Sequence, residues 1–286
     1  MYQVVYQTLT YDVPSFKGTV YGVWVSETTD HPSAGTYPVS EGTPEGRRMI
    51  ELLWDPPGPG RRGPPQKISL ERVVDGALAL ADADGFEALS MRGLAKHLGV
   101  GAMSLYTYVP GKAELFELMI DRAHGERALP DEGLGWRLRY AGHAREALAM
   151  YRRHPWLVHA NLWRLPLGPH VLDVNEDMLR VGAAAGLPPL QRVRVASLLE
   201  SYIFGIARGE IADRSEVLRT GVSRDDYWEA RAAFWNTYFD PQRYPAMLAT
   251  WEAGGFEEDS TPDDDLAFAL DLILDSVERL VRSAPG

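Results

Sequence analysis

The chain has 286 residues, 45% of them hydrophobic, and a formal net charge of −11. That length and apolar content suffice for two domains with a sizeable core and exclude a disordered chain, while the acidic balance argues against a polybasic nucleic-acid coat. Cysteine is absent, so disulfides, thiol catalysis and thiolate metal sites are excluded, and a reducing cytoplasm is the expected location.

Residues 1–48 alternate apolar and polar in YQVVYQTLTYDV and again in TVYGVWVSETT, a strand-like period of two. HPSAGTYPVSEGTPEG reads as linker. The run from Asp55 to Pro65, DPPGPGRRGPP, cannot be helical, because its prolines remove donors and fix φ; it reads as an extended arm carrying Arg61 and Arg62. From Ile68 the period becomes helical. Ser69 caps a helix whose stripe is Val73, Val74, Ala77, Leu78 and Ala81, and Gly85 ends it. Ser90 caps a second helix with Leu94, Ala95 and Leu98, and Gly111 opens a further one with Leu115, Leu118 and Ile120. Further helices are expected near 134–153, 170–185, 190–212, 223–239 and 263–282, with no βαβ alternation that would suggest an α/β enzyme.

Between these capped helices lies LAKHLGVGAMSLYTYVPGK, from Leu94 to Lys112. Ala95 is small where two helices would cross. Gly99, four residues on, suits a turn that a side chain would obstruct, and Leu105, six further, is an aliphatic anchor. This is the spacing of a helix-turn-helix whose second helix enters the major groove. That second helix, Ala102 to Tyr108, is too short to stand alone and must be held by Leu105 and Val109. Met103, Ser104, Thr107 and Tyr108 are then expected to face outward.

With ISLERVVDGALALADADGFEAL before it, SMRGLAKHLGVGAMSLYTYVPGKAELFELMID resembles the DNA-binding domain of the tetracycline-repressor (TetR) family over residues 68–127. The resemblance implies a homodimer that binds double-stranded operator DNA and is released by a small-molecule effector held in the C-terminal half. It implies DNA-contacting roles for Arg92, Ala102, Met103, Ser104, Tyr106, Thr107, Tyr108 and Lys112, with Tyr106 and Lys112 on phosphate. Ala102 and Met103 offer no hydrogen-bonding edge, so direct readout would rest on thymine methyls, Ser104 and Arg92. Residues 67–127 hold seven Lys/Arg against nine Asp/Glu, so segregated charge rather than a basic domain is expected. With the Arg61/Arg62 arm included, a salt slope on the order of −5 to −9 follows. Residues 1–48 lie outside the resemblance, as an added strand-bearing element or as sequence upstream of a start at Met49.

Residues 128–286 hold 17 Arg against 24 Asp/Glu and should point away from DNA. VRVASLLESYIFGIA is apolar nearly all round and LAFALDLILDSVERLV is amphipathic; two copies of each would make a two-fold, four-helix interface and require a palindromic operator. Aromatic density points to a small-molecule site, with Tyr140, His143, Trp163, Tyr202 and Trp235 as candidate lining residues. No HExxH, G-x-S-x-G, P-loop or dinucleotide fingerprint occurs, so no metal, cofactor or catalytic residue is assigned. No apolar run reaches the roughly 18 residues of a membrane span. The fold class expected is all-α: a helix-turn-helix domain over 67–127 and a helical ligand-binding and dimerisation domain over 128–286. A possible short strand-like extension precedes them, followed by the Pro/Gly/Arg-rich arm, over 1–66. The alternative is a small-molecule-binding helical protein or enzyme with a vestigial helix-turn-helix.

Overall fold

The computed structural model describes residues 43–56, 68–256 and 261–283, together with the backbone of three short strands ahead of them. The strands are β1 (Tyr2–Tyr6), β2 (Thr19–Val20) and β3 (Val23–Glu27), paired antiparallel in the order β1-β3-β2. Tyr2 lies opposite Glu27, and Tyr6 opposite Val23. The period-two pattern thus does form strands. The expected arm with Arg61 and Arg62, and Lys67 after it, lies outside the described residues.

The rest of the described chain is helical. The segment read as linker instead starts a helix, α1 (Pro44–Trp54), which runs on through Met49. Thr43 caps it by accepting from the Gly46 amide, Pro44 sits in the first turn where its missing N–H costs nothing, and Met49, Leu52 and Leu53 are buried. The helix-turn-helix unit follows as α2 (Leu70–Asp84), α3 (Met91–Leu98), α4 (Ala102–Leu105) and α5 (Lys112–His124). Ser69 and Ser90 cap α2 and α3 through their side chains, as the sequence suggests.

The second half is built on α6 (Trp136–Arg153), α7 (Pro169–Ala184), α8 (Pro189–Thr220) and α12 (Pro262–Ser283). Two 3-10 turns, Pro155–His159 and Leu162–Arg164, join α6 to α7. The helix expected over 223–239 is broken into α9 (Arg224–Glu229) and α10 (Ala233–Thr237), and α11 (Pro245–Glu252) follows. These three carry no buried residue; their aromatics pack on one another, with Trp235 against Phe234, Phe239 and Trp251.

One continuous core runs through both halves, from Leu53 and Val73 to Leu199 and Leu274. The halves are tied where α5 meets α7. Asp121 at the end of α5 accepts from the Val171 amide (3.0 Å) and pairs with His170 (2.8 Å) in the first turn of α7, where a carboxylate suits the helix dipole. Gly168 makes room for it: a Cβ there would lie 2.2 Å from the Asp121 carboxylate. On the other side, the Trp54 indole N–H donates to the Leu167 carbonyl at 2.7 Å, so α1 also reaches the second half.

Candidate nucleic-acid interface

Gly99 is what turns α3 into α4. Its φ of 69° and ψ of 30° are left-handed, a conformation a Cβ makes costly, and its N–H bonds back to the end of α3. Ala95 and Leu94 are buried beneath this turn. The close crossing of α2 over α3 depends on Gly76 as well: a Cβ there would lie 2.8 Å from Leu98. The sequence reading passed over Gly76, although glycine inside a helix stripe is the signal of close approach.

The recognition helix α4 is a single turn, held by Leu105 and Val109, both fully buried. Fixing one turn costs more than its own hydrogen bonds return, so these two side chains keep α4 formed. Its outer face presents Met103 at 79% exposure, Ser104, Tyr106 at 44% and Thr107, whose hydroxyl donates to the Ser104 carbonyl. Ala102 is half-buried and packs on the core. Arg92 and Lys96 on α3 are exposed and form no ion pair among the described residues.

Two expected contacts are placed differently. Tyr108 does not face outward: it is half-buried, and its hydroxyl donates to the Ile68 carbonyl at 2.8 Å, tying the end of the recognition segment to the start of α2. Lys112 is also committed within the protein. Its Nζ donates to the Phe86 carbonyl at 2.8 Å and lies 4.2 Å from the centroid of the Phe86 ring. A stem folded over an aromatic face is how a lysine gains from both packing and cation–π attraction. Neither contact is legible locally, because Ile68 and Phe86 lie 40 and 26 residues away.

The candidate ligand residues are spread over α6, α8 and α10. Tyr140 and His143 are buried on α6. The Tyr140 hydroxyl reaches the Met178 carbonyl, and burial pushes its pKa up to about 12. Tyr202 instead bonds the Asp265 carbonyl between α8 and α12, and Trp235 belongs to the α9–α11 aromatic cluster. The side chain of Trp163 lies outside the described residues. Aromatic density summed across distant helices carries no information about which of these residues meet.

His143 sits in a buried polar network whose members come from distant helices. His143 pairs with Asp177 at 2.8 Å, Arg139 pairs with the same carboxylate, and Arg127 binds Glu200 (3.0 Å) and the His143 carbonyl. Burial is the largest effect on His143 and lowers its pKa, helped by the nearby Arg127 charge and opposed by the Asp177 hydrogen bond. Arg127 Nε, Arg139 Nε and Ser197 Oγ are buried with no partner among the described residues. A separate open cavity of about 590 Å³ lies between the end of α8 and α9, lined by Asp213, Val217, Tyr227, Trp228 and Arg231 among others. Among the described residues, no cluster of His, Asp and Glu has the arrangement of a metal site, and no helix is long and apolar enough to cross a membrane.

Comparison with known proteins accounts for both halves. Residues 73–119 match the family model described as bacterial regulatory proteins, tetR family, and residues 129–281 match the tetracyclin repressor-like C-terminal domain. The chain is 39% identical over 242 residues to the HTH-type transcriptional repressor DrrR1 of Streptomyces coeruleorubidus, covering 84% of this chain and 88% of that one. ActR of Streptomyces coelicolor, solved in apo form, superposes with a TM-score of 0.63 at 23% identity, covering 76% of this chain and 98% of its own. ActR has also been solved in complex with actinorhodin. SCO7222, a TetR protein of the same organism, superposes with a TM-score of 0.61 at 25% identity, over 74% of this chain and 99% of its own.

Proposed function

The chain belongs to the TetR family of transcriptional repressors, and from that premise we propose that it binds a palindromic operator as a homodimer and is released by a small, largely apolar aromatic molecule. The observation that carries DNA binding is the outer face of α4: Met103, Ser104 and Tyr106 stand exposed on one helical turn whose other face is anchored in the core. Met103 suits thymine methyls and Ser104 either base type, while Tyr106 reaches for phosphate. Arg92 and Lys96 flank them as free cations among the described residues. Operator binding places the protein in the cytoplasm.

The dimer reading rests on α8 and α12. They pack on each other, yet Leu198 (51% exposed), Phe268 (69%) and Leu272 (55%) face outward. Apolar rows of this kind on neighbouring helices suit a second copy related by a two-fold axis. The effector reading rests on the helical half. ActR, which shares the fold, has been solved with actinorhodin. Here the buried guanidinium Nε atoms of Arg127 and Arg139, unpartnered among the described residues, are donors suited to the acceptor atoms of such a molecule. Nothing in the network has the form of a nucleophile with its base, and the matched relatives are named as regulators.

The test is selection of duplexes from a randomised pool, followed by anisotropy titration at rising salt. Arg92 and Lys96, four charges per dimer, predict a log–log slope of about −4, made steeper by any phosphate contacts of the Arg61/Arg62 arm. A palindromic consensus, a mass of two chains in sedimentation, and loss of binding in Tyr106→Ala are expected. A slope near zero with no enriched sequence overturns the reading and favours the small-molecule-binding alternative.

A further inference from the structure

His154 ends α6 at the junction of the two halves, and it is 5% exposed. Both of its ring nitrogens meet carboxylates at 2.9 Å: Nδ1 faces Asp82 on α2, and Nε2 faces Glu126, just beyond α5. A neutral imidazole carries one N–H, so one of these contacts would then set a lone pair against a carboxylate oxygen. Only the imidazolium donates from both nitrogens. The groups around the ring complete the clamp. The Trp156 indole N–H, from the 3-10 turn, donates to the same Asp82 oxygen at 2.7 Å, and Arg153 on α6 pairs with Glu126 at 3.3 Å. Burial alone would raise the Glu126 carboxyl, but the hydrogen bonds and charges of His154 and Arg153 outweigh it and hold the group below its ordinary value.

The clamp is in packing contact with the foot of the recognition unit. The Trp156 ring lies 5.7 Å from His154 and 5.8 Å edge-on from Phe116 of α5; Phe116 is 4.3 Å from Phe86, over which Lys112 is folded. The aromatic rings make Trp156 part of the helix-turn-helix body, while His154 belongs to the end of α6. The junction therefore holds a charged clasp beside the core that both halves share.

We propose that His154 is the positioning residue that fixes the angle of the DNA-binding unit against the helical half, as a doubly donating imidazolium that draws Asp82 and Glu126 onto the end of α6. The proposal rests on the operator-binding reading for its consequence, since the angle sets where Met103 and Tyr106 stand in a dimer. Losing either arm frees the end of α6 from α2 or α5, so operator affinity depends on both being made.

The chain has no native cysteine, so spin labels can be placed cleanly. Glu87→Cys in the helix-turn-helix unit and Arg145→Cys on α6 are both exposed; the doubly labelled full chain, diluted with unlabelled chain, gives the distance between the halves. A narrow distribution is expected in the parent and a broad one in His154→Gln. Glu126→Gln, whose carboxylate is partly exposed and which leaves the core intact, should also lose the narrow state. In parallel, the affinity for the selected duplex should be several-fold weaker in both variants than in the parent. Distributions of parent and both variants that coincide overturn the clasp. Failure to select any duplex overturns operator binding instead, and the spin-label result still decides the clasp.

Discussion

Tyr106 and Tyr108 stand two residues apart and do opposite things. The Tyr106 hydroxyl is in solvent, whereas Tyr108 spends its hydroxyl on the Ile68 carbonyl inside the domain. Removing each oxygen separates the roles. Tyr108→Phe leaves a half-buried carbonyl unpaired and should lower stability by about 1 kcal/mol, read as a shift in the urea midpoint, with little effect on operator affinity beyond that. Tyr106→Phe should leave the midpoint unchanged and weaken operator binding. The reverse pattern would mean that the recognition turn is rotated from the placement described. Gly168 is a second residue whose effect is geometric. Its Cβ would occupy the place of the Asp121 carboxylate, which holds His170 and the Val171 amide. Gly168→Ala should therefore cost about 2 kcal/mol, the scale of charge-assisted hydrogen bonds lost from a buried site, and Gly168→Ser no less. Unchanged unfolding in both variants would show that the α5–α7 tie is not held by Asp121.

Among elements, α1 lies outside both matched family segments, yet it shares the core. Leu52 is 5% exposed there, and Trp54 links the helix to Leu167. Leu52→Ala should lower stability by roughly 2–3 kcal/mol, as truncation of a buried leucine does; a loss near zero in urea unfolding would mean that α1 lies on the surface without supporting it. Why α1 escaped the sequence reading is instructive. Its cap, Thr43, and its first-turn proline are sound start signals, but they sit in a stretch dominated by Gly, Pro and Ser, and the helix ends against another proline run. The stripe of α2, the serine caps and the Gly99 turn were legible because each is decided within four residues of chain. The inward turn of Tyr108 and the pairing of Arg127 with Glu200, 73 residues apart, were not, because a local pattern carries no record of which distant group supplies the partner. The aromatics of α9 and α10 were visible as composition, and composition could not tell a ligand wall from a cluster that packs on itself.

At the scale of the whole molecule, the chain buries several titratable groups at the seam between its halves, among them Asp121, His124 and His154. His124 ends α5. Burial pushes its pKa down to about 4, the neighbouring Arg127 charge acts in the same direction, and the hydrogen bond from its ring to the Ile120 carbonyl, with Glu200 and Asp121, offsets only part of this. The folded protein therefore holds His124 neutral, while the unfolded chain protonates it near its ordinary value of 6.5. Because the unfolded state takes up the proton first, stability is complete above pH 6.5 and is lost as the pH falls from there toward 4. The loss reaches on the order of 3 kcal/mol at the lower end. Urea unfolding between pH 7.5 and 4.5 reads this contribution. The parent should lose stability steadily below pH 6.5, and His124→Gln, which cannot titrate, should start lower but show a shallower acid slope. Equal slopes in parent and variant would place the acid lability elsewhere, with the buried His143 on α6 next to be replaced.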